Sequence, residues 1–137
     1  MALKIDDISL NTLIGNGTAI KGNLKINGFV RIDGDIDGDL TTDGNIIIGE
    51  NARIRGNVNA KAAIIGGIII GDVFAKESVK LLNSSAVLGD VLSHKVQIDA
   101  SAIFHGHCIS IKNDEEYDRL SHLYLQSKAI KDRVYHS

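Results

Sequence analysis

Proline and tryptophan are absent, cysteine occurs once, and aromatic residues make up 4% of the 137 positions. Few rings against abundant Gly, Ile and Val argue against a helical bundle and for narrow coils filled by aliphatic side chains. The lone Cys108 excludes an intramolecular disulfide and suits a reducing compartment. Its place in an inward-facing column makes it a small core hydrophobe. Long apolar runs are missing as well: the longest, 62–70, is about half of the roughly 20 residues that a membrane span needs. The opening MALKIDD has neither the charged and apolar regions nor the cleavage site of an export signal. A formal net charge of −2 gives no bulk attraction to nucleic acid. These absences predict one soluble, cytoplasmic domain.

What is present is a recurring phrase: small residue, x, large apolar, x, Gly, x, apolar. It runs Thr18 to Leu24, Gly34 to Leu40, Ala52 to Val58, Gly67 to Val73, Ser85 to Val91 and Ala102 to Cys108. Two positions before the Gly stand Ile20, Ile36, Ile54, Ile69, Val87 and Phe104. Two positions after it stand Leu24, Leu40, Val58, Val73, Val91 and Cys108. The Gly-to-Gly spacings of 16, 18, 15, 18 and 17 are those of a coil repeat, too long for a hairpin meander. Alternation with a period of two puts these apolar columns on one face of each strand. A second inward pair precedes each later phrase: Val30 and Ile32, Ile46 and Ile48, Ala63 and Ile65, Val79 and Leu81, Val96 and Ile98. Gly at the phrase centre marks a corner where a positive φ, or close approach by the next coil, excludes a Cβ.

The prediction is an all-β, single-domain parallel β-helix of about six coils over residues 12–112. A lead precedes it at 1–11, and an amphipathic helix follows at 113–137. About five aliphatics per coil, at roughly 1.5–3 kcal/mol each, cannot offset ordering some seventeen residues at roughly 1–2 kcal/mol apiece. Stability therefore has to come from stacking, and the two end coils lack one neighbour each. Ile14, Ile20 and Leu24 are expected at one end face, and Ile98, Phe104 and Cys108 at the other. An outward apolar stripe is read at Ile70, Phe74, Leu88, Leu92 and Ile109. The C-terminal segment places Tyr117, Leu120, Leu123, Tyr124, Ile130 and Val134 at helical spacing, with Asn113 and Glu116 as a capping box. Its contact face has three destinations open to it: the outward stripe, the last coil, or another chain. The lead alternates Leu3, Ile5, Ile8 and Leu10, as an edge strand would, and is at most a weak membrane-surface peptide.

Chemistry-bearing patterns are sparse. The carboxylates from Asp33 to Asp39 begin like a calcium loop, but Gly44 stands where a bidentate Glu is needed, so a solvated outward row is expected. Gly15-Asn16-Gly17 lacks the third glycine and the following helix of a phosphate loop. His105 and His107 flank the corner outward while Cys108 points inward, so they do not converge on one metal. No triad is recognisable, and Arg53, Arg55 and Lys61 lack the interleaved aromatics of a nucleic-acid site. The reading is therefore not an enzyme, with no catalytic, cofactor or metal site, no cofactor, and no nucleic-acid partner.

The stretch Thr12 to Gly22, then Gly28-Phe29-Val30-Arg31-Ile32-Asp33-Gly34, then Ala102 to Cys108 in that order resembles the bactofilins over about residues 12–112. The resemblance implies a right-handed β-helix that polymerises without nucleotide into non-polar filaments. It also implies a bacterial cytoskeletal scaffold, often at the inner face of the cytoplasmic membrane, that positions cell-wall enzymes in cell-shape control. The implied partners are the chain itself and cell-wall or membrane-associated proteins. The Pro-free tail and the N-terminal lead depart from the family pattern. Two other readings compete. One is a left-handed hexapeptide acyltransferase, which the drifting repeat length opposes. The other is a non-polymeric adaptor whose C-terminal helix caps the stack and whose stripe binds a partner.

Overall fold

The computed structural model describes residues 10–111, 117–120 and 122–123. Within them the chain winds as a parallel β-solenoid of about six turns with three faces. Face 1 begins with β1 (Leu10–Ile14), β4 (Phe29–Ile32) and β7 (Asn45–Ile48). It continues through the C-terminal halves of β9 (Val58–Ile65), β11 (Val73–Leu81) and β13 (Val91–Ile98). Face 2 is a separate six-stranded sheet of three-residue strands. These are β2 (Ala19–Lys21), β5 (Asp35–Asp37), β8 (Arg53–Arg55), β10 (Ile68–Ile70), β12 (Ala86–Leu88) and β14 (Ile103–His105). Face 3 stacks β3 (Leu24–Ile26), β6 (Leu40–Thr42), the N-terminal halves of β9, β11 and β13, and β15 (Cys108–Ser110). Every pairing is parallel.

The inward columns lie where the alternation places them. Val30, Ile32, Leu40, Ile48, Val58, Ile65, Ile69, Val73, Leu81, Val87 and Val91 are fully enclosed. The third coil supplies Ile46, Ile48, Ile54, Val58 and Ala60, five inward side chains as the repeat requires. Each coil hydrogen-bonds to the next at the corners as well as along the strands: Gly49 N donates to Ile32 O at 2.8 Å, and Leu82 N to Ile65 O at 2.8 Å. Small residues four before the corner Gly are enforced by crowding. Ala52 and Ser85 are buried, and a Cβ on Gly34 would sit 2.7 Å from Gly15 O.

The corner between faces 2 and 3 needs Gly for two reasons at once. Gly71 has φ 152°, a conformation that L side chains rarely adopt. A Cβ built there would also collide with the carbonyl oxygen of Gly56 one coil back. The corner between faces 3 and 1 is built differently in the two halves. In the second coil Thr42 Oγ1 donates to Gly28 O at 2.6 Å and accepts from Gly44 N at 3.1 Å. From the third coil onward one strand runs through the corner, with a register shift between Ala75 and Ser78.

Residues 117–120 and 122–123 are helical, which is a short turn rather than a demonstrated long helix. Asn113, Glu116, Tyr124, Ile130 and Val134 lie outside the described residues, as do Leu3, Ile5 and Ile8 of the lead. Leu10 belongs to β1 and pairs with Phe29, so the first coil begins slightly earlier than residue 12.

Candidate self-assembly surfaces

The two ends of the solenoid are open sheet edges among the described residues: β1, β2 and β3 at one, β14, β15 and the second half of β13 at the other. Their side chains follow. Along one inward column Ile36, Ile54, Ile69 and Val87 are no more than 2% exposed. The terminal members of that column, Ile20 and Phe104, are only half-buried although they pack against the same core. Leu24 and Val96 behave alike. At the first end Ile14 is buried; at the last, Ile98 is 42% exposed.

Cys108 stands in register with Val91, in the column predicted, but it is exposed. The expectation of a buried core thiol is corrected: no further coil covers it among the described residues. Its surroundings still desolvate the sulfur enough to raise the thiol pKa above its ordinary value.

A second column lies at the same corner. The residue after each corner Gly is Asn23, Asp39, Asn57, Asp72, Asp90 and His107. Each Oδ1 accepts the backbone N–H of its counterpart one coil on, at 2.9 Å for Asn23 to Asp39, 2.9 Å for Asp39 to Asn57, 3.0 Å for Asn57 to Asp72 and 2.8 Å for Asp72 to Asp90. The signal is an Asn or Asp in five of six repeats, hidden because charged and amide side chains are mixed while the acceptor oxygen is common to both. The ladder ends at His107, whose N–H is held by Asp90 at 2.8 Å and whose Nδ1 lies 3.3 Å from the same oxygen.

The predicted outward stripe divides into two. Phe74 and Leu92, each 3% exposed, form a satellite cluster on face 3 with Ile109 and Ile111. Tyr117 and Leu120 lie over this cluster, and the Tyr117 ring stacks on His94 at 6.1 Å between centroids. Of the three destinations open to the C-terminal segment, its described part takes the side of the solenoid and leaves Phe104 and Cys108 uncovered. Leu123 is exposed.

Ile70 and Leu88 sit on face 2, because the corner at Gly71 and Gly89 turns the chain between them and Phe74 or Leu92. Two outward rows run up that face: Ala19, Asp35, Arg53, Ile68, Ala86, Ile103; and Lys21, Asp37, Arg55, Ile70, Leu88, His105. Opposite charges adjoin in the first three coils, and apolar side chains dominate the last three.

Among the described residues no group of three His, Cys, Asp or Glu is placed to hold a metal. Asp33 is paired with Arg31 at 2.9 Å, and Asp35 and Asp37 are exposed. No helix among the described residues is long and apolar enough to cross a membrane.

The bactofilin family profile, described as polymer-forming cytoskeletal, matches residues 12–109. The chain belongs to the bactofilin family. It is 31% identical over 96 residues to the bactofilin BacP of Myxococcus xanthus, covering 70% of this chain and 40% of that relative. It thus spans well under half the length of BacP. Among solved structures, a cryo-EM reconstruction of Thermus thermophilus bactofilin double helical filaments matches with a TM-score of 0.70 at 27% identity, over 73% of this chain and 99% of that one. The solid-state NMR structure of the cytoskeletal bactofilin BacA matches with a TM-score of 0.64 at 28% identity, over 74% and 96%. Bactofilins are structural proteins of a cytoskeletal family, not enzymes.

Proposed function

We propose that this bactofilin assembles end to end through its terminal coils into nucleotide-independent filaments, paired as in the double helical filaments of the Thermus relative. The observation that carries the reading is the burial gradient along one column, from enclosed Ile69 and Val87 to half-exposed Ile20 and Phe104. Joining two ends would bury what remains exposed of each terminal side chain, gaining a part of the roughly 1.5–3 kcal/mol that full burial of a large apolar side chain supplies. It would also pair edges that are otherwise templates for association.

The Asx ladder favours joining like ends, hence a non-polar filament. A head-to-tail junction would require a side-chain oxygen to meet the N–H of Asn23, and the last rung offers an imidazole already turned to Asp90. A two-fold junction needs no such continuation. The filament would be a cytoplasmic scaffold at the inner face of the cytoplasmic membrane, positioning cell-wall enzymes in cell-shape control, with a right-handed coil and a C-terminal helix extending from the turn at Tyr117. Sedimentation of the purified chain without nucleotide or metal tests the assembly: polymer in the pellet supports it, and a folded monomer at high concentration contradicts it.

A further inference from the structure

We infer that the apolar half of face 2 is the lateral contact between two filament strands, its occupant being the same face of a second copy of this chain. The inference rests on the end-to-end reading, since a paired filament needs a contact beside the one at the coil ends.

Ile68, Ile70, Leu88 and Ile103 are 38%, 46%, 43% and 56% exposed, and Ala86 lies in register between Ile68 and Ile103. They account for four of the eight exposed large hydrophobics among the described residues, gathered on three neighbouring strands of one sheet. The other faces offer nothing comparable. Face 3 is covered at the same level by Tyr117 over Phe74 and Leu92. The outward row of face 1 interrupts its aliphatics with Arg31 and Lys80.

Size selects the occupant. Three strands at about 4.8 Å spacing and three residues at about 3.3 Å give a patch on the order of 150 Å². A stable complex between two globular proteins buries roughly 800 Å² per partner. One such patch cannot hold a partner by itself. A polymer of this chain presents it on every subunit, and repeated weak contacts along two strands then act together. The charged half of the face is suited to staying in water, because Asp37 stands in register between Lys21 and Arg55 and Asp35 beside Arg53.

The test is electron microscopy and analytical ultracentrifugation of the full chain, comparing wild type with Leu88→Lys, Ile70→Lys and Phe104→Arg. The milder Leu88→Ser and Ile70→Ser serve if a lysine variant fails to fold by circular dichroism. Expected are paired wild-type filaments, single strands with unchanged subunit spacing from the face 2 variants, and Phe104→Arg protein that neither polymerises nor pairs laterally. Paired filaments from both face 2 variants would overturn the inference, as would complete loss of filaments from them while folded. Single-stranded wild-type filaments would overturn it and leave the end-to-end reading standing. Failure of wild type to polymerise would remove that reading and this inference together.

Discussion

Asp90 Oδ1 accepts the backbone N–H of His107 at 2.8 Å, the last rung of a ladder that begins at Asn23 and passes through every coil. Each rung satisfies a corner N–H that the strand ladders leave over, so the side chain is chosen for its acceptor oxygen rather than its charge. Asp72, 1% exposed at the middle of the ladder, gives the sharpest contrast. Asp72→Asn keeps the oxygen that meets the N–H of Asp90 and is expected to cost less than Asp72→Ala. Asp72→Ala strands the N–H of Asp90 and is expected to cost about 1–3 kcal/mol. Urea unfolding of the two variants checks this; equal losses would contradict it.

The corner glycines separate into two kinds. At Gly71 both φ and the carbonyl of Gly56 forbid a Cβ, whereas at Gly22 the space is open and only φ, at 122°, is unfavourable. Gly71→Ala should therefore cost about 2–4 kcal/mol, combining overpacking with backbone strain. Gly22→Ala should cost about 1 kcal/mol. Thermal unfolding of the two proteins, compared at low concentration, reads the difference directly.

Burial, and then the charge of Asp118, push the Tyr117 hydroxyl up to about 12 from its ordinary value of about 10. A raised pKa means that docking over Phe74 and Leu92 stabilises the neutral phenol. The contribution is complete below pH about 10 and is lost as pH rises toward 12. Phenolate absorbance of wild type minus Tyr117→Phe should titrate near 12; a midpoint near 10 would mean that the turn is not packed there.

The coil count, the inward columns and the corner glycines could be read from residues such as Ile54 and Gly71 because a solenoid repeats one local solution, so period and geometry coincide. Three features escaped for physical reasons. The Asx ladder mixes Asn57 with Asp72, which look unlike until their shared acceptor is recognised. A count along the chain reads the apolar stripe as continuous because it does not register that the corner at Gly71 turns Phe74 onto a different face from Ile70. Cys108 follows the inward column, but an inward position buries a side chain only where another coil lies above it. That same rule leaves Phe104 half-buried against the core, which is the ground for proposing it as an assembly residue.

The central claim is that polymer forms through the coil ends, and Phe104→Arg tests it most directly. A guanidinium placed in the seam between two last coils would be desolvated without a partner, while in the monomer the half-buried position leaves it access to water. Electron microscopy without nucleotide should show filaments from wild type. The variant, folded by circular dichroism, should give none, with at most pairs joined through the first coils. Filaments of wild-type length from Phe104→Arg would contradict the account.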